Sequence, residues 1–403
     1  MTLSFDRALE TVKERVQAAG LVARTERAPL AESCGRVLAE DVRADRDYPP
    51  FHRATRDGYA LRSADLSAVP CQLTLIGEVR AGQHFRRVVA PGQCVEIMTG
   101  APLPEGADAV VMVEDTSLRG TQVEVRRGVA CWENTVQKGS EARAGTVVVK
   151  RGRLLGAAEA GLLASVGCSD VSVFEKPSVA ILPTGDELVD VEASPQWYQV
   201  RNSNAVTLEA QVRSAGGSPK VLPVARDEYS ALRELIEQGL REDLLLLSGG
   251  VSAGKYDLVK RVLAEFGAEF FIEGVAIRPG KPLTFGWARE KFFFGLPGNP
   301  VSTYVTFELF ARNAIRMLGG AEFECPTFLR ARLARPRRQK LGLTAFMPAR
   351  VWMEGSEPTV DVVGWQGSGD LVGVAAANCF LVIRPEQTEL AAGEWVDVLP
   401  RNV

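Results

Sequence analysis

The sequence is poor in the residues that build metal clusters and disulfide frameworks. Its 403 residues include only two histidines and seven cysteines, and no two cysteines form a C-x-x-C pair. This pattern argues against a zinc cluster, which needs closely spaced cysteine or histidine ligands. An odd number of scattered cysteines is typical of reduced thiols in the cytosol.

The sequence also lacks a strong net charge and a long apolar segment. Its formal net charge of −3 provides no polycationic surface, so we expect no nucleic-acid binding. No uncharged apolar run approaches the roughly 20 residues that span a bilayer. The N-terminal residues lack the cationic and apolar regions of a signal peptide. We therefore expect a cytoplasmic protein that binds neither nucleic acid nor membrane.

The residues that are present indicate a globular protein with several domains. Hydrophobic residues make up 46% and charged residues 24% of the sequence, and a chain of this length is expected to form two to four domains. Residues 4–19 show the periodicity of an amphipathic helix with Ser4 as its N-cap. Short valine-rich runs between Gly and Pro turns predict strands at 72–76, 94–98, 109–113 and 121–125. Residues after Cys325-Pro326 return to a β pattern.

From residue 178 onwards, strand and helix patterns alternate. Strands are predicted at 179–182, 220–224, 243–247 and 292–296, each followed by a helix, at 203–214, 228–240, 256–266 and 301–318. Repeated βα units with fully apolar strands predict a parallel sheet covered by helices on both faces. The predicted fold class is multidomain α/β plus β, with a central three-layer α/β/α domain whose sheet is mostly parallel. β-rich N-terminal modules and a C-terminal β domain flank it.

Four turns in the α/β region combine glycine and proline with charged or hydroxyl residues. They are Thr184-Gly-Asp-Glu187, Ser248-Gly-Gly-Val-Ser-Ala-Gly254, Pro279-Gly-Lys-Pro282 and Pro297-Gly-Asn-Pro-Val-Ser302. Each turn alone could simply end a strand. Because glycine lets backbone N–H groups approach an anion and parallel strands end at one edge, the four together predict a site for a phosphorylated ligand within residues 178–302.

One of these turns is close to a P-loop. Residues 249–255 have its glycine and lysine spacing, but Tyr256 stands where the loop requires Ser or Thr. A tyrosine cannot place a short hydroxyl on Mg²⁺ as that loop does. The turn therefore predicts an anion cradle that does not belong to an ordinary NTPase.

Charged residues around these turns suggest that two anions bind. Carboxylates at Glu187, Asp227 and Asp257 would repel a phosphate unless a divalent cation intervened, and oxygen ligands suit Mg²⁺. Asp257 is equally explained as a helix-start residue stabilised by the helix dipole. Arg278 and Lys281 supply positive charge, the first in a bidentate geometry and the second as a point charge. We expect one anion bridged by metal and another held by cations.

Six motifs make the sequence resemble a known family. They are Asp57-Gly-Tyr-Ala60, the small-residue loop from Met98-Thr99 to Met112, Thr184-Gly-Asp-Glu-Leu188, Ser248-Gly-Gly-Val-Ser252, Arg278-Pro-Gly-Lys-Pro282 and Leu296-Pro-Gly-Asn-Pro-Val-Ser302. In this order they are similar to the MoeA family of molybdopterin molybdenumtransferases, which includes the E domain of gephyrin. The resemblance covers nearly the whole chain.

The resemblance implies an elongated four-domain subunit that forms a homodimer. The implied domains are an N-terminal helix at 1–25 packing on the α/β domain, a linking β/α domain at 26–46 and 145–175, a β-rich domain at 47–144, the α/β domain at 176–323 and a β domain at 324–403. The implied reaction inserts molybdate into adenylylated molybdopterin with Mg²⁺-dependent release of AMP. A transient contact with the molybdopterin-adenylylating enzyme is a further expectation.

By motif position, the resemblance also implies roles for individual residues. The expected catalytic residues are Asp57, Thr99, Glu187, Asp227, Asp257 and Lys281. The expected metal ligands are Asp227, Asp257 and Glu187. The expected ligand-binding residues are Ser248, Gly249, Gly250, Ser252, Arg278, Lys281, Pro297, Pro300, Ser302 and, from the C-terminal domain, Ser368. Taken alone, Asp57 and Thr99 would be interpreted as ordinary turn residues.

Some positions depart from the family pattern. His52-Arg53-Ala54 replaces the usual Asp-Asn-Ser, Arg278 stands where a lysine is usual, and an arginine-rich motif is reduced to Gln137-Lys-Gly-Ser-Glu141. An arginine expected after Phe346 is Pro348, with Arg350 two residues on, on the same face of a strand. These changes concern the details of anion binding.

Three other functions share parts of this pattern. A molybdopterin adenylyltransferase and a nucleotide pyrophosphatase share the α/β domain but lack the flanking β modules. A non-catalytic scaffold related to the gephyrin E domain would have the modules. A scaffold, however, has no need of the charges at Asp57, Glu187 and Lys281, so their presence favours an enzyme.

Overall fold

The computed structural model describes residues 2–21, 23–226, 228–250, 256–339 and 342–401. These residues form two compact units. The first unit comprises Met1–Arg27, Gly35–Ala39 and Ser172–Val403, and the second comprises Ala28–Cys34 and Glu40–Val171. Among the described residues, no helix has the length and apolar character needed to cross a bilayer.

Most of the α-helices belong to the first unit, and Ala157–Ser165 belongs to the second. The helices are Phe5–Ala18, Ala157–Ser165, Ser203–Ser214, Tyr229–Gly239, Tyr256–Glu265, Pro300–Thr306, Arg312–Leu318 and Leu371–Ala376, with 3₁₀ turns at Leu30–Glu32, Ser63–Leu66 and Val113–Asp115. Short strands outside the large sheets are Thr25–Pro29, Val42–Arg43, Arg53–Ala54, Thr135–Val136, Val147–Val149, Asp170–Phe174, Leu188–Val189, Val200–Arg201, Arg337–Arg338 and Glu389–Leu390.

The second unit is built on a six-stranded mixed sheet. Its strand order is Ala109–Met112, Gly58–Leu61, Gln93–Ile97, Cys71–Val79, Gln122–Val125 and Thr116–Arg119. Successive residues of a strand point to opposite faces, so Tyr59 and Leu61 pack on one side and Ala60 on the other. Gly58 is required by a close approach, since a Cβ there would lie 1.9 Å from the Val111 carbonyl oxygen.

The first unit contains the central sheet that the βα pattern predicts. Its order is Ser218–Val221, Ser178–Pro183, Leu244–Ser248, Lys291–Leu296, Thr284–Ala288 and Glu269–Glu273. The first four strands are parallel, whereas the last two are antiparallel. The mostly parallel sheet is therefore confirmed. The two antiparallel strands were not predicted, because a continuous apolar run does not reveal the direction of its strand.

Helices cover both faces of this sheet. Ile181 and Leu246 face the helices Ser203–Ser214 and Pro300–Thr306, while neighbouring residues of the same strands face Tyr229–Gly239 and Tyr256–Glu265. The N-terminal helix Phe5–Ala18 also packs here, with the ring of Phe5 centred 6.1 Å from that of Phe310. Its N-cap is Ser4, whose side chain accepts a hydrogen bond from the Arg7 N–H. The three-layer α/β/α architecture is confirmed.

The helix predicted at 301–318 is interrupted by a π-helical turn, Phe307–Ala311. Glu308 lies in this turn, where its carboxylate accepts hydrogen bonds from Arg312 and from the Gln211 side chain. Hydrophobic periodicity alone gives no signal for such a turn, which depends on contacts with a neighbouring helix.

The C-terminal residues form a closed barrel. Its strands follow the order Thr344–Glu354, Glu357–Val362, Leu329–Leu333, Trp395–Pro400 and Cys379–Ile383, and the last pairs with the first. The strand Ile277–Arg278 pairs in parallel with Thr344 and Ala345 of this barrel. The expectation that the turn at residue 279 follows a strand of the α/β sheet is therefore wrong. Ile277–Arg278 lies in the connection between the antiparallel strands Glu269–Glu273 and Thr284–Ala288, and this connection leaves the α/β sheet to pair with the barrel.

Candidate functional site

A cleft of about 920 Å³ in the first unit brings together segments that are distant in sequence. Its walls come from the turns after three neighbouring parallel strands, from the segment that follows Ile277–Arg278 and from a loop of the C-terminal region. The lining residues are Glu187, Gly249, Gly250, Ile277, Arg278, Pro279, Gly280, Lys281, Pro282, Pro297, Gly298, Asn299, Ser302, Leu343, Trp365, Gly367 and Ser368.

Strand register explains why three of these turns meet. Pro183 pairs with Ser248, and Ser248 pairs with Leu296, so the three strands end at the same level. The carboxyl ends of parallel strands are the usual place for a ligand in an open α/β sheet. The sequence therefore correctly predicts that these turns share one edge.

The glycine pair after Leu244–Ser248 is required by the backbone. Gly249 and Gly250 have φ angles of +91° and +70°, which disfavour residues that carry a Cβ. A Cβ at Gly249 would lie 2.5 Å from the Thr184 carbonyl oxygen, and one at Gly250 would lie 2.7 Å from Thr184 Oγ1. Glycine is therefore required at both positions by the contact with Thr184, and the Gly249 N–H donates to the Leu296 carbonyl at 3.2 Å. Ser252, expected in the same loop, lies outside the described residues.

An asparagine that the sequence did not single out joins two of the turns. The Asn204 side-chain amide donates to Ser248 Oγ at 3.0 Å and to the Gly298 carbonyl at 2.8 Å. Ser248 is buried and does not line the cleft, so its hydroxyl serves this link. The sequence pattern shows only that Asn204 lies in the first turn of the helix Ser203–Ser214. Asn202 caps this helix by accepting a hydrogen bond from the Ala205 N–H.

Two cations line the cleft. The side chains of Arg278 and Lys281 are exposed, and within the described part of the chain no acidic group lies within ion-pair distance of either. Between them, Gly280 packs so closely on Thr306 that a Cβ would lie 2.5 Å from its methyl carbon. Their positive charges are therefore available to an anion.

A loop of the C-terminal region is fixed onto the turn at residues 297–302. Ser368 Oγ accepts a hydrogen bond from the Asn299 side chain at 2.7 Å, and the Ser368 carbonyl accepts the Val301 N–H at 2.9 Å. Ser302 is buried and lines the same cleft. Pro300 is the first residue of its helix and does not line the cleft. These contacts bring Ser368 beside the α/β turns.

Of the three carboxylates expected to bind a metal, only Glu187 has a described side chain. It is exposed and lines the cleft. Asp227 lies outside the described residues, and so does the side chain of Asp257, whose backbone belongs to Tyr256–Glu265. Within the described residues no cluster of three metal-ligating side chains occurs.

The second unit holds Asp57 and Thr99 against each other. The Thr99 N–H donates to Asp57 Oδ1 at 2.6 Å and the Thr99 hydroxyl donates to the same oxygen at 2.7 Å. These two bonds hold the pKa of Asp57 below its usual value, the backbone bond having the larger effect. Asp57 is thus an exposed carboxylate fixed in its ionised form.

The departures from the family pattern have structural counterparts. Arg53 forms an ion pair of 3.0 Å with Glu141, which joins two of the altered motifs within the second unit. Pro348 is buried in the barrel strand Thr344–Glu354, while Arg350 is exposed on it, opposite Asp361. Neither lines the cleft described above. Leu343 and Trp365, which do line it, were not predicted as site residues.

Comparisons with known proteins cover almost the whole chain. Three family models match: "MoeA N-terminal region (domain I and II)" over residues 3–167, "Probable molybdopterin binding domain" over 180–317 and "MoeA C-terminal region (domain IV)" over 330–400. Curated proteins named "Molybdopterin molybdenumtransferase" are similar over 375 residues. The one from Staphylococcus aureus is 32% identical and the one from Staphylococcus epidermidis 33%, with 92% of this chain and 90% of each relative covered.

Solved structures agree. A molybdopterin biosynthesis moeA protein from Pyrococcus horikoshii is 29% identical with a TM-score of 0.83, and both chains are covered completely. A second structure of that name is 32% identical with a TM-score of 0.76 over 99% of both chains. The resemblance drawn from the motifs is confirmed. The chain belongs to the MoeA family of molybdopterin molybdenumtransferases.

Proposed function

We propose that this protein inserts molybdate into the dithiolene of adenylylated molybdopterin and releases AMP in a Mg²⁺-dependent reaction. The observation that carries the proposal is the cleft, which combines two exposed cations, a glycine turn and a carboxylate. Such a set suits a substrate with a phosphoanhydride together with a small tetrahedral oxyanion. Membership of the family supports the same reaction.

Molybdate, as a substrate, would bind to Arg278, Lys281, Ser302 and Ser368. The guanidinium can donate two parallel hydrogen bonds to a tetrahedral oxyanion, and the ammonium adds a compact charge. The two hydroxyls can donate to its remaining oxygens. Holding the anion beside the dithiolene would couple release of AMP to insertion through proximity.

Mg²⁺ would be held by Glu187, Asp227 and Asp257. The donor set fits the ion, because all three ligands are carboxylates and Mg²⁺ prefers oxygen. The exposed carboxylate of Glu187 at the cleft wall is consistent with this role. When bound, the ion would neutralise charge on phosphate oxygens as the phosphoanhydride breaks. The backbone of Gly250, which lines the cleft, would contact the same phosphates.

Asp57 and Thr99 are proposed to act in the same reaction, with Asp57 as an ionised acceptor for a hydrogen bond from a substrate N–H or hydroxyl. Their fixed geometry supports this, since an ordinary turn does not need both hydrogen bonds on one carboxylate oxygen.

We also propose that the protein is a cytoplasmic homodimer that receives its substrate from the molybdopterin-adenylylating enzyme. Mixed dimers of Asp57→Ala and Asp257→Ala chains test whether one site contains residues from both chains. Activity should be recovered in the mixed dimer only if two chains share a site.

The direct test supplies adenylylated molybdopterin, molybdate and Mg²⁺ and follows both AMP and active molybdenum cofactor. We expect AMP release that requires molybdate and Mg²⁺, with cofactor formed in equal amount. The control is Lys150→Ala, which removes an exposed lysine of the second unit and should behave as wild type. Well-folded protein that releases no AMP in response to molybdate would overturn the proposal. ATP-dependent formation of adenylylated molybdopterin would instead identify an adenylyltransferase.

A further inference from the structure

One aromatic side chain lines the cleft that holds the two cations. Among the described lining residues, Trp365 is the single aromatic group, and Ile277 and Leu343 are its large aliphatic companions. Trp365 stands three residues before Ser368, in the loop fixed onto residues 297–302. The cleft therefore has a charged part at Arg278 and Lys281 and a flat apolar part at Trp365.

The backbone around Trp365 is held in place from both sides. One oxygen of the Asp370 carboxylate accepts the Gln366 N–H at 3.0 Å, and the other accepts the Gly373 N–H at 3.0 Å. Gly373 lies directly behind the indole, because a Cβ there would be 3.2 Å from Trp365 Cδ1. Ser368 anchors the other end of the loop through Asn299. The indole is thus positioned before any ligand arrives.

The indole N–H does not explain why a tryptophan occupies this position. Trp365 Nε1 is buried and has no hydrogen-bond partner among the described residues. An unpaired buried donor is unfavourable, and Trp is normally found where its N–H has a partner. A phenylalanine would avoid this cost. What the tryptophan contributes to the cleft is the area of its ring.

We infer that Trp365 is a binding residue for the pterin ring system of the substrate, on which the indole stacks. This inference rests on the proposed function and names one contact within it. Adenylylated molybdopterin has two flat ring systems, adenine and pterin. The dithiolene that receives molybdenum is attached to the ring fused to the pterin, whereas adenine lies beyond the diphosphate. Because Ser368 and the cations would hold molybdate in the same cleft, the ring nearest to them is the pterin.

The test compares Trp365→Ala, Trp365→Phe and the matched control Trp352→Phe, which alters an exposed tryptophan in the barrel. The binding assay titrates full-length protein with molybdopterin that carries no adenylyl group and, separately, with AMP, following tryptophan fluorescence and equilibrium binding. The kinetic assay measures KM for adenylylated molybdopterin and the molybdate requirement. Circular dichroism checks that each variant is folded.

We expect Trp365→Ala to weaken molybdopterin binding and raise KM on the order of tenfold, the effect of losing one stacked ring. Trp365→Phe should keep affinity within about threefold, since it retains a ring face, while losing the quenching of indole fluorescence. The control should keep both affinity and quenching. AMP binding should be the same in all variants.

Other results would overturn the inference. Unchanged molybdopterin binding in Trp365→Ala would remove the residue from the site. Equal losses in Trp365→Phe and Trp365→Ala would assign the contact to the N–H, and weaker AMP binding would assign it to adenine. A wild-type protein that binds molybdopterin through Trp365 but releases no AMP would refute the proposed function and leave the stacking contact standing.

Discussion

Removing the positive charge of Lys281 should weaken molybdate use without affecting the fold. The side chain is exposed in the cleft, and no described acidic group neutralises it. In water-like surroundings, a unit charge about 4 Å from a dianion contributes roughly 2 kcal/mol, twice the value for two unit charges. Screening at about 0.15 M salt, with a Debye length of about 8 Å, reduces this to roughly 1.2 kcal/mol. Lys281→Ala should therefore raise the molybdate concentration needed for half-maximal AMP release about eightfold.

Salt separates this electrostatic effect from a structural one. At about 1 M ionic strength the Debye length is about 3 Å, so the difference between Lys281→Ala and wild type should shrink to about twofold. Lys281→Arg keeps the charge and should remain closer to wild type than alanine does, although its geometry differs. The assay is AMP release against molybdate concentration at both salt levels, with Lys150→Ala as the control. A molybdate requirement that is unchanged, or a difference that does not depend on salt, would refute the assignment of Lys281 to the anion.

Three further predictions concern other parts of the molecule. Ser368→Ala removes the acceptor for the Asn299 amide and should lower the free energy of unfolding in urea by about 0.5–1.5 kcal/mol. Adding Asn299→Ala to this variant should lower it little further, and fully additive losses would show that the hydrogen bond does not contribute. Thr99→Val removes one of two hydrogen bonds to Asp57, so the carboxylate pKa should rise part of the way to its usual value in an NMR titration. Because the pKa of Asp57 is lowered in the folded protein, these bonds stabilise the fold at neutral pH, and that contribution is lost as the pH falls through the folded pKa. An unchanged Asp57 titration in Thr99→Val would show that the hydroxyl does not lower this pKa. Asp257→Asn should fold normally but lose the Mg²⁺ dependence of AMP release, and wild-type metal dependence would exclude it as a ligand.

The strands and helices of the α/β region could be predicted because their signals are local. The helix predicted at 203–214 is Ser203–Ser214, and the apolar run at 243–247 is the buried strand Leu244–Ser248. The strand expected at 220–224 is displaced to Ser218–Val221, since this edge strand is largely exposed and its pattern is weak. The edge strand Glu269–Glu273 and its neighbour Thr284–Ala288 were missed because antiparallel pairing is not visible in one strand's composition.

For the site, the sequence identified the turns but not all their partners. Glycine spacing pointed to Gly249 and Gly250, and their positive φ angles agree with that signal. Asn204 and Trp365 carried no motif of their own, because an asparagine near a helix start and a tryptophan in a glycine-rich loop are common. Asn204 matters because it binds the Gly298 carbonyl 94 residues away. The loop of Trp365 reaches the cleft because Ser368 binds Asn299, 69 residues away.

The sequence by itself determined the family, the parallel sheet and the strand-end turns, because each depends on residues close together in the chain. Only the tertiary structure decided which segments face the same cleft. It assigned the segment before Pro279 to the barrel strand at Thr344 and fixed the loop of Ser368 onto the turn at Asn299. Pairing between distant segments depends on the packing of the whole unit, and no local pattern records it. The charged end of the cleft was therefore visible in the sequence, while its aromatic wall was visible only in the fold.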